Sequence, residues 1–130
     1  MNIMDITTYS KIKKMSLQLL VTDIDRSIEF YTKKLGFEID FRYEDFYAGI
    51  IKDGFSIHFK TGNPLIEERK SKRHNEDLDI IFSVEDIEYL YEEFSGQPIE
   101  IIQPLRDMPY GKEFYITDPD AYIIAFIEEA

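Results

Sequence analysis

The feature that most constrains this chain is an order of elements that occurs twice. Val21-x-Asp23-Ile24 returns 63 residues later as Val84-x-Asp86-Ile87, and Asp53-Gly54-Phe55 returns as Asp120-Ala121-Tyr122. The same sequence of periodicities surrounds both copies. Ser16–Val21 reads as a short apolar strand. Asp23 then stands as an N-cap before Ile24, Ile28, Tyr31 and Leu35, which form one helical stripe. Gly36 stands where a left-handed C-terminal cap is wanted. Phe37, Ile39, Phe41 and Tyr43 alternate with polar residues as a half-buried strand, and 45–52 and 55–60 are two further strands around the turn dipeptide Asp53-Gly54. In the second half 77–82 is the strand, and Ser83 with Asp86 forms a variant capping box. Ile87, Leu90, Tyr91 and Phe94 are the helical stripe, closed by Gly96, and 99–103, 112–117 and 122–127 are the remaining strands. A period near 65 residues is too long for a solenoid. Two copies of βαβββ predict one pseudo-symmetric α+β domain over 15–130, with modules at about 15–60 and 77–130. Residues 1–14 read as a loose extension. The segment 61–76, with its charged run Glu67–His74, reads as a solvated linker.

Charge divides the same two halves. Residues 1–65 balance nine basic against nine acidic side chains, whereas 77–130 hold only Arg106 and Lys112 against 14 carboxylates. So acidic a half repels a phosphate backbone, which argues against nucleic acid and would attract a cation. The absence of cysteine rules out disulfides, thiolate nucleophiles and thiolate metal sites. No apolar run reaches the length needed to span a bilayer, and the N-terminus lacks a signal-peptide hydrophobic region, so a cytoplasmic protein away from the membrane is expected.

Leu19-Leu20-Val21-Thr22-Asp23, leading into Ser27-Ile28-Glu29-Phe30-Tyr31 and Lys34-Leu35-Gly36-Phe37, resembles the opening of the vicinal-oxygen-chelate superfamily. Phe114–Tyr122 is similar to its closing strand pair, with Ala121 where a glycine usually stands. That group contains glyoxalases, bleomycin-resistance proteins and extradiol dioxygenases. The resemblance implies two βαβββ modules forming an open, barrel-like sheet around a cavity, commonly completed in a homodimer. It also implies four positions that hold a divalent metal in the enzymes, here Ser16, His58, Asp79 and Ala125. A two-residue slip in the fourth strand would substitute Ser56 for His58. Alanine cannot ligate and a serine hydroxyl is a poor ligand. A catalytic site usually needs about three protein ligands, so no metal cofactor is expected. Gln18 could supply a third ligand if its strand shifted.

Without a metal, the implied cavity turns Gln18, Ser56, His58 and Asp79 inward, among rings drawn from Phe41, Tyr43, Phe46, Tyr110 and Phe114. Such a lining suits an aromatic or cationic small molecule. Asp79 lies in an apolar strand and needs a partner; paired with His58 it could orient a general base. The reading favoured here is a metal-free binding protein of the bleomycin-resistance type. The alternative is a metal-dependent lyase, isomerase or dioxygenase with an unusual ligand set.

Overall fold

A computed structural model describes residues 10–130, so most of the expected N-terminal extension lies outside the described residues. The first half runs β1 (Ser16–Val21), α1 (Ile24–Glu29, continued by a π-helical turn Phe30–Lys34), β2 (Glu38–Tyr43), β3 (Tyr47–Lys52) and β4 (Phe55–Thr61). After α2 (Ile66–Ser71) and a 3-10 turn, the second half runs β5 (Ile80–Ser83), α3 (Ile87–Ser95), β6 (Ile101–Met108), β7 (Gly111–Thr117) and β8 (Ile123–Glu129). The strands form two open four-stranded sheets, ordered β1-β4-β3-β2 and β5-β8-β7-β6. In each, the strand before the helix lies parallel to the last strand, and all other pairs are antiparallel. The repeat read from the sequence is therefore a structural one.

Local chemistry explains most of the boundaries. The Asp23 side chain accepts the Arg26 amide at 3.2 Å and opens α1, while Gly36 at φ +79° releases the chain from it. Asp53 and Gly54 both have positive φ, as a two-residue hairpin matching the right-handed strand twist requires. Four expectations are corrected. The start of α3 is not a capping box: the Asp86 and Ile87 amides donate to the Glu128 carboxylate at 3.0 and 3.3 Å, so the cap comes from the last strand. Gly96 has φ −86° and needs no left-handed freedom. β6 runs past Pro104 to Met108, which its place at the sheet edge permits. The linker contains α2 and is pinned rather than merely solvated. Its Arg69 guanidinium stacks 4.0 Å from the centre of the Tyr122 ring, and Arg73 pairs with Glu100 at 2.8 Å.

Strand alternation sends Leu19, Val21, Ala48, Ile50, Ile57 and Phe59 to one face of the first sheet. Ile80, Phe114, Ile116, Ile124 and Phe126 take the matching face of the second. Together with the inner stripes of α1 and α3 they form a single core spanning both halves. A carboxylate interlock reinforces the junction. Buried Asp120, in the β7–β8 turn, accepts from the Thr22 amide, Arg26 and the Ser27 hydroxyl at 3.1–3.2 Å. Asp118 accepts Tyr31 Oη at 2.7 Å and the Asp120 and Tyr122 amides at 2.9 Å. Both sheets spend their helix-covered faces on this shared core. The opposite face of the first sheet stays largely open and carries the candidate site, whereas that of the second is covered at its centre, where Tyr115, Ile123 and Ala125 are buried with Leu78 and Ile102 packed against them.

Candidate functional site

On the first sheet, register decides which side chains meet. Gln18 lies beside His58 across β1 and β4, Gly49 opposite His58 across β3 and β4, and Phe41 opposite Gly49 across β2 and β3. Gln18 Nε2 donates to Tyr47 Oη at 3.0 Å, and Tyr47 Oη lies 2.9 Å from His58 Nδ1. The other ring nitrogen of His58, Nε2, is buried and has no hydrogen-bond partner. Ser16 Oγ donates to Ser56 Oγ at 2.9 Å.

Around this polar row the rings form a continuous surface. Phe41 stands perpendicular to the imidazole at 5.0 Å between centroids and lies nearly parallel to Tyr47 at 6.0 Å. Tyr43 touches Phe41 at 5.6 Å and stacks on Phe46 at 6.4 Å. Gly49 makes this possible, since a Cβ there would overlap the Phe41 ring. Tyr43 and Phe46 are each 59% exposed. The aromatic surface is thus presented rather than consumed by packing.

The corresponding face of the second sheet has a different character and is largely covered. Glu113 is fully buried, yet Arg106 Nε donates to it at 2.8 Å, Tyr115 Oη at 2.8 Å and Tyr110 Oη as well. Burial alone would raise the Glu113 carboxyl, but the hydrogen bonds from Tyr110, Arg106 and Tyr115 outweigh it and hold it below the usual range. The bond to Glu113 pushes the Tyr110 hydroxyl up to about 12. Arg106 also reaches Gln103 and Glu76 at 3.0 and 3.2 Å. This cluster is saturated and offers no free charge to a ligand.

The expected site residues are therefore divided. Gln18, Tyr43, Phe46, Ser56 and His58 share the open face of the first sheet or its rim, whereas Tyr110 lies on the second sheet. Asp79 is not beside His58. It sits at the start of β5, where it accepts Arg69 Nη1 at 3.2 Å and the Ile123 amide at 2.8 Å, so its partner is the linker. Phe114 lies in the core against Tyr91, Phe94 and Phe126, because alternation along β7 gives the opposite face to Glu113 and Tyr115 instead. Among the described residues, no hydrogen bond or ring contact joins these two faces within one chain. Pockets lie beside Asp79 (about 280 Å³), between the end of α1 and α3 (about 590 Å³) and beside Glu88 and Glu128 (about 520 Å³).

The residues present do not fit a divalent ion. Ser16 pairs across the strands with Ser56, not His58, while the Asp79 amide donates to Ile123 and Ala125 pairs with Ile81. With His58 in the set, hydroxyl and aliphatic side chains hold two of the four positions; with Ser56 in its place they hold three. Among the described residues, no three His, Asp or Glu side chains converge to hold a metal. Tyr47, Arg69, Arg106, Glu113 and Tyr115 escaped the sequence reading. Glu113 carries the same signal as Asp79, a carboxylate inside an apolar strand.

The chain matches the glyoxalase/bleomycin resistance protein/dioxygenase superfamily over residues 15–126, and it belongs to that family. Solved structures share the fold. One is UcmS2, at 20% identity and TM-score 0.74, covering 92% of this chain and 100% of its own. Another is the bleomycin-binding protein of bleomycin-producing Streptomyces verticillus, complexed with copper(II)-bleomycin, at 21% identity and TM-score 0.68, with 93% and 99% covered. A third is TnmS3, an antibiotic-binding protein from Streptomyces sp. CB03234, at 11% identity and TM-score 0.71, with 93% and 98% covered. No curated protein matches the sequence. Among the described residues, no helix is long and apolar enough to cross a membrane.

Proposed function

We propose that the protein binds a small aromatic molecule on the open face of its first sheet, without a bound metal and without chemical turnover. The observation that carries this reading is the presented ring surface of Phe41, Tyr43, Phe46 and Tyr47 around a buried, unpartnered imidazole nitrogen. Apolar rings with a few placed polar groups are what a small-molecule site requires. Two of the solved structures that share the fold are described as binding antibiotics, which supports the same role here. The aromatic part of the expectation is better supported than the cationic part, since Asp79 and Glu113 are engaged by Arg69 and Arg106.

The working unit is a homodimer in the cytoplasm. One chain leaves the ring surface of the first sheet open, and a second copy would roof it. Sedimentation should show twice the mass of the chain. A thermal-shift panel of planar aromatic compounds tests binding. A compound at 100 times its dissociation constant adds about 2.7 kcal/mol, an upward shift of about 10 °C for a domain of this size. No shift with any compound would remove the proposal. Elemental analysis of protein purified without chelator should find well under one equivalent of divalent metal, and stoichiometric metal lost on His58→Ala would favour an enzyme instead.

A further inference from the structure

We infer that His58 offers its Nε2–H as a hydrogen-bond donor to a neutral acceptor on the aromatic ligand, a carbonyl oxygen or ring nitrogen, so that this face selects neutral heteroaromatic molecules over aromatic cations. The inference deepens the proposed binding function and rests on it. Its basis is the direction of one hydrogen-bond relay. Gln18 Nε2 donates to Tyr47 Oη, which leaves the hydroxyl's single hydrogen for His58 Nδ1 at 2.9 Å, the one acceptor in hydrogen-bond reach of it among the described residues. A neutral imidazole whose Nδ1 accepts must carry its proton on Nε2. That N–H is buried and has no acceptor.

A buried donor without a partner is costly, and such groups concentrate where function needs them. The side chains around the ring, Gln18, Tyr47, Phe41 and Ser56, supply no charge to draw a cation. The next side chain on this face of β4 is Lys60, itself a cation. A ligand acceptor at Nε2 would therefore satisfy the donor, whereas a quaternary nitrogen would leave it unmet beside a lysine. Nε2 is buried, so an acceptor reaches it only if a neighbouring side chain gives way; Phe41 touches the imidazole edge-on and rests on the bare backbone of Gly49, which places it to do so.

The test compares three bicyclic probes on the full chain at about pH 8: quinoline (neutral, with an acceptor), naphthalene (neutral, none) and N-methylquinolinium (cationic, none). Quinoline should bind about tenfold more tightly than either of the others, the worth of one neutral hydrogen bond, and His58→Phe should abolish the difference. The chain has two histidines, so long-range 15N–1H spectra of the free protein, assigned with the same variant, read the tautomer without any ligand. Protonation on Nε2 is expected. Protonation on Nδ1, equal binding of all three probes, or preference for the cation would overturn the inference while leaving aromatic binding intact. Failure of all three probes to bind would overturn the binding function with it.

Discussion

Raising the pH should loosen the joint between the two halves, and the effect can be worked from Asp118. Burial pushes its carboxyl up to about 6 from an ordinary 3.8, against the opposing pull of the Tyr31 hydroxyl and the Tyr122 and Asp120 amides. The folded state thus favours the protonated acid more than the unfolded chain does. Stability from this group is fully present below about pH 4, is lost as the pH rises towards 6, and is flat above. At 1.36 kcal/mol per pH unit, the whole effect is about 3 kcal/mol, and about half of it falls between pH 5 and 7.5. Urea unfolding at several pH values across that interval should show a falling midpoint. Asp118→Asn removes the titration while keeping an acceptor for the two amides, so its pH slope should be shallower by that amount. A wild-type midpoint that rises with pH after subtraction of the variant's curve, or an unchanged slope in the variant, would refute the reasoning.

Three further outcomes test other parts of the architecture. Gly49→Ala should drive Phe41 off the sheet, at a cost of about 1–3 kcal/mol in urea unfolding and with weaker binding of planar aromatics in the thermal-shift panel. Glu113→Gln should release Tyr110, so that its phenol, followed by ultraviolet absorbance, titrates well below about 12; unfolding should become easier by about 2 kcal/mol as Arg106 loses its buried partner. Glu128→Ala should cost about 1 kcal/mol by uncapping α3, whereas Ser83→Ala should cost little, since Ser83 does not serve as the cap.

Much of the fold was legible because its determinants are local. The stripe Ile24, Ile28, Tyr31, Leu35 is a period, Gly36 and the Asp53-Gly54 pair are demands on φ, and the return of the helical stripe 63 residues later needs only the sequence itself. The candidate site was legible in part: Gln18, Ser56 and His58 follow from alternation within two strands paired in parallel. The length of β6 and the cap of α3 were not, because one depends on an edge position and the other on a carboxylate 42 residues away.

By itself, the order of amino acids determined which residues share a face, the duplicated βαβββ plan and the scarcity of metal ligands at the four implied positions. Only the packing of one half against the other decided which face of each sheet became core. A period of two divides Phe114 from Glu113 and Phe59 from His58 without saying which member of each pair goes inside. That choice follows from burying both helical stripes in one shared core. The same packing placed Arg69 over Asp79, left His58 with Tyr47, and turned the ring surface outward.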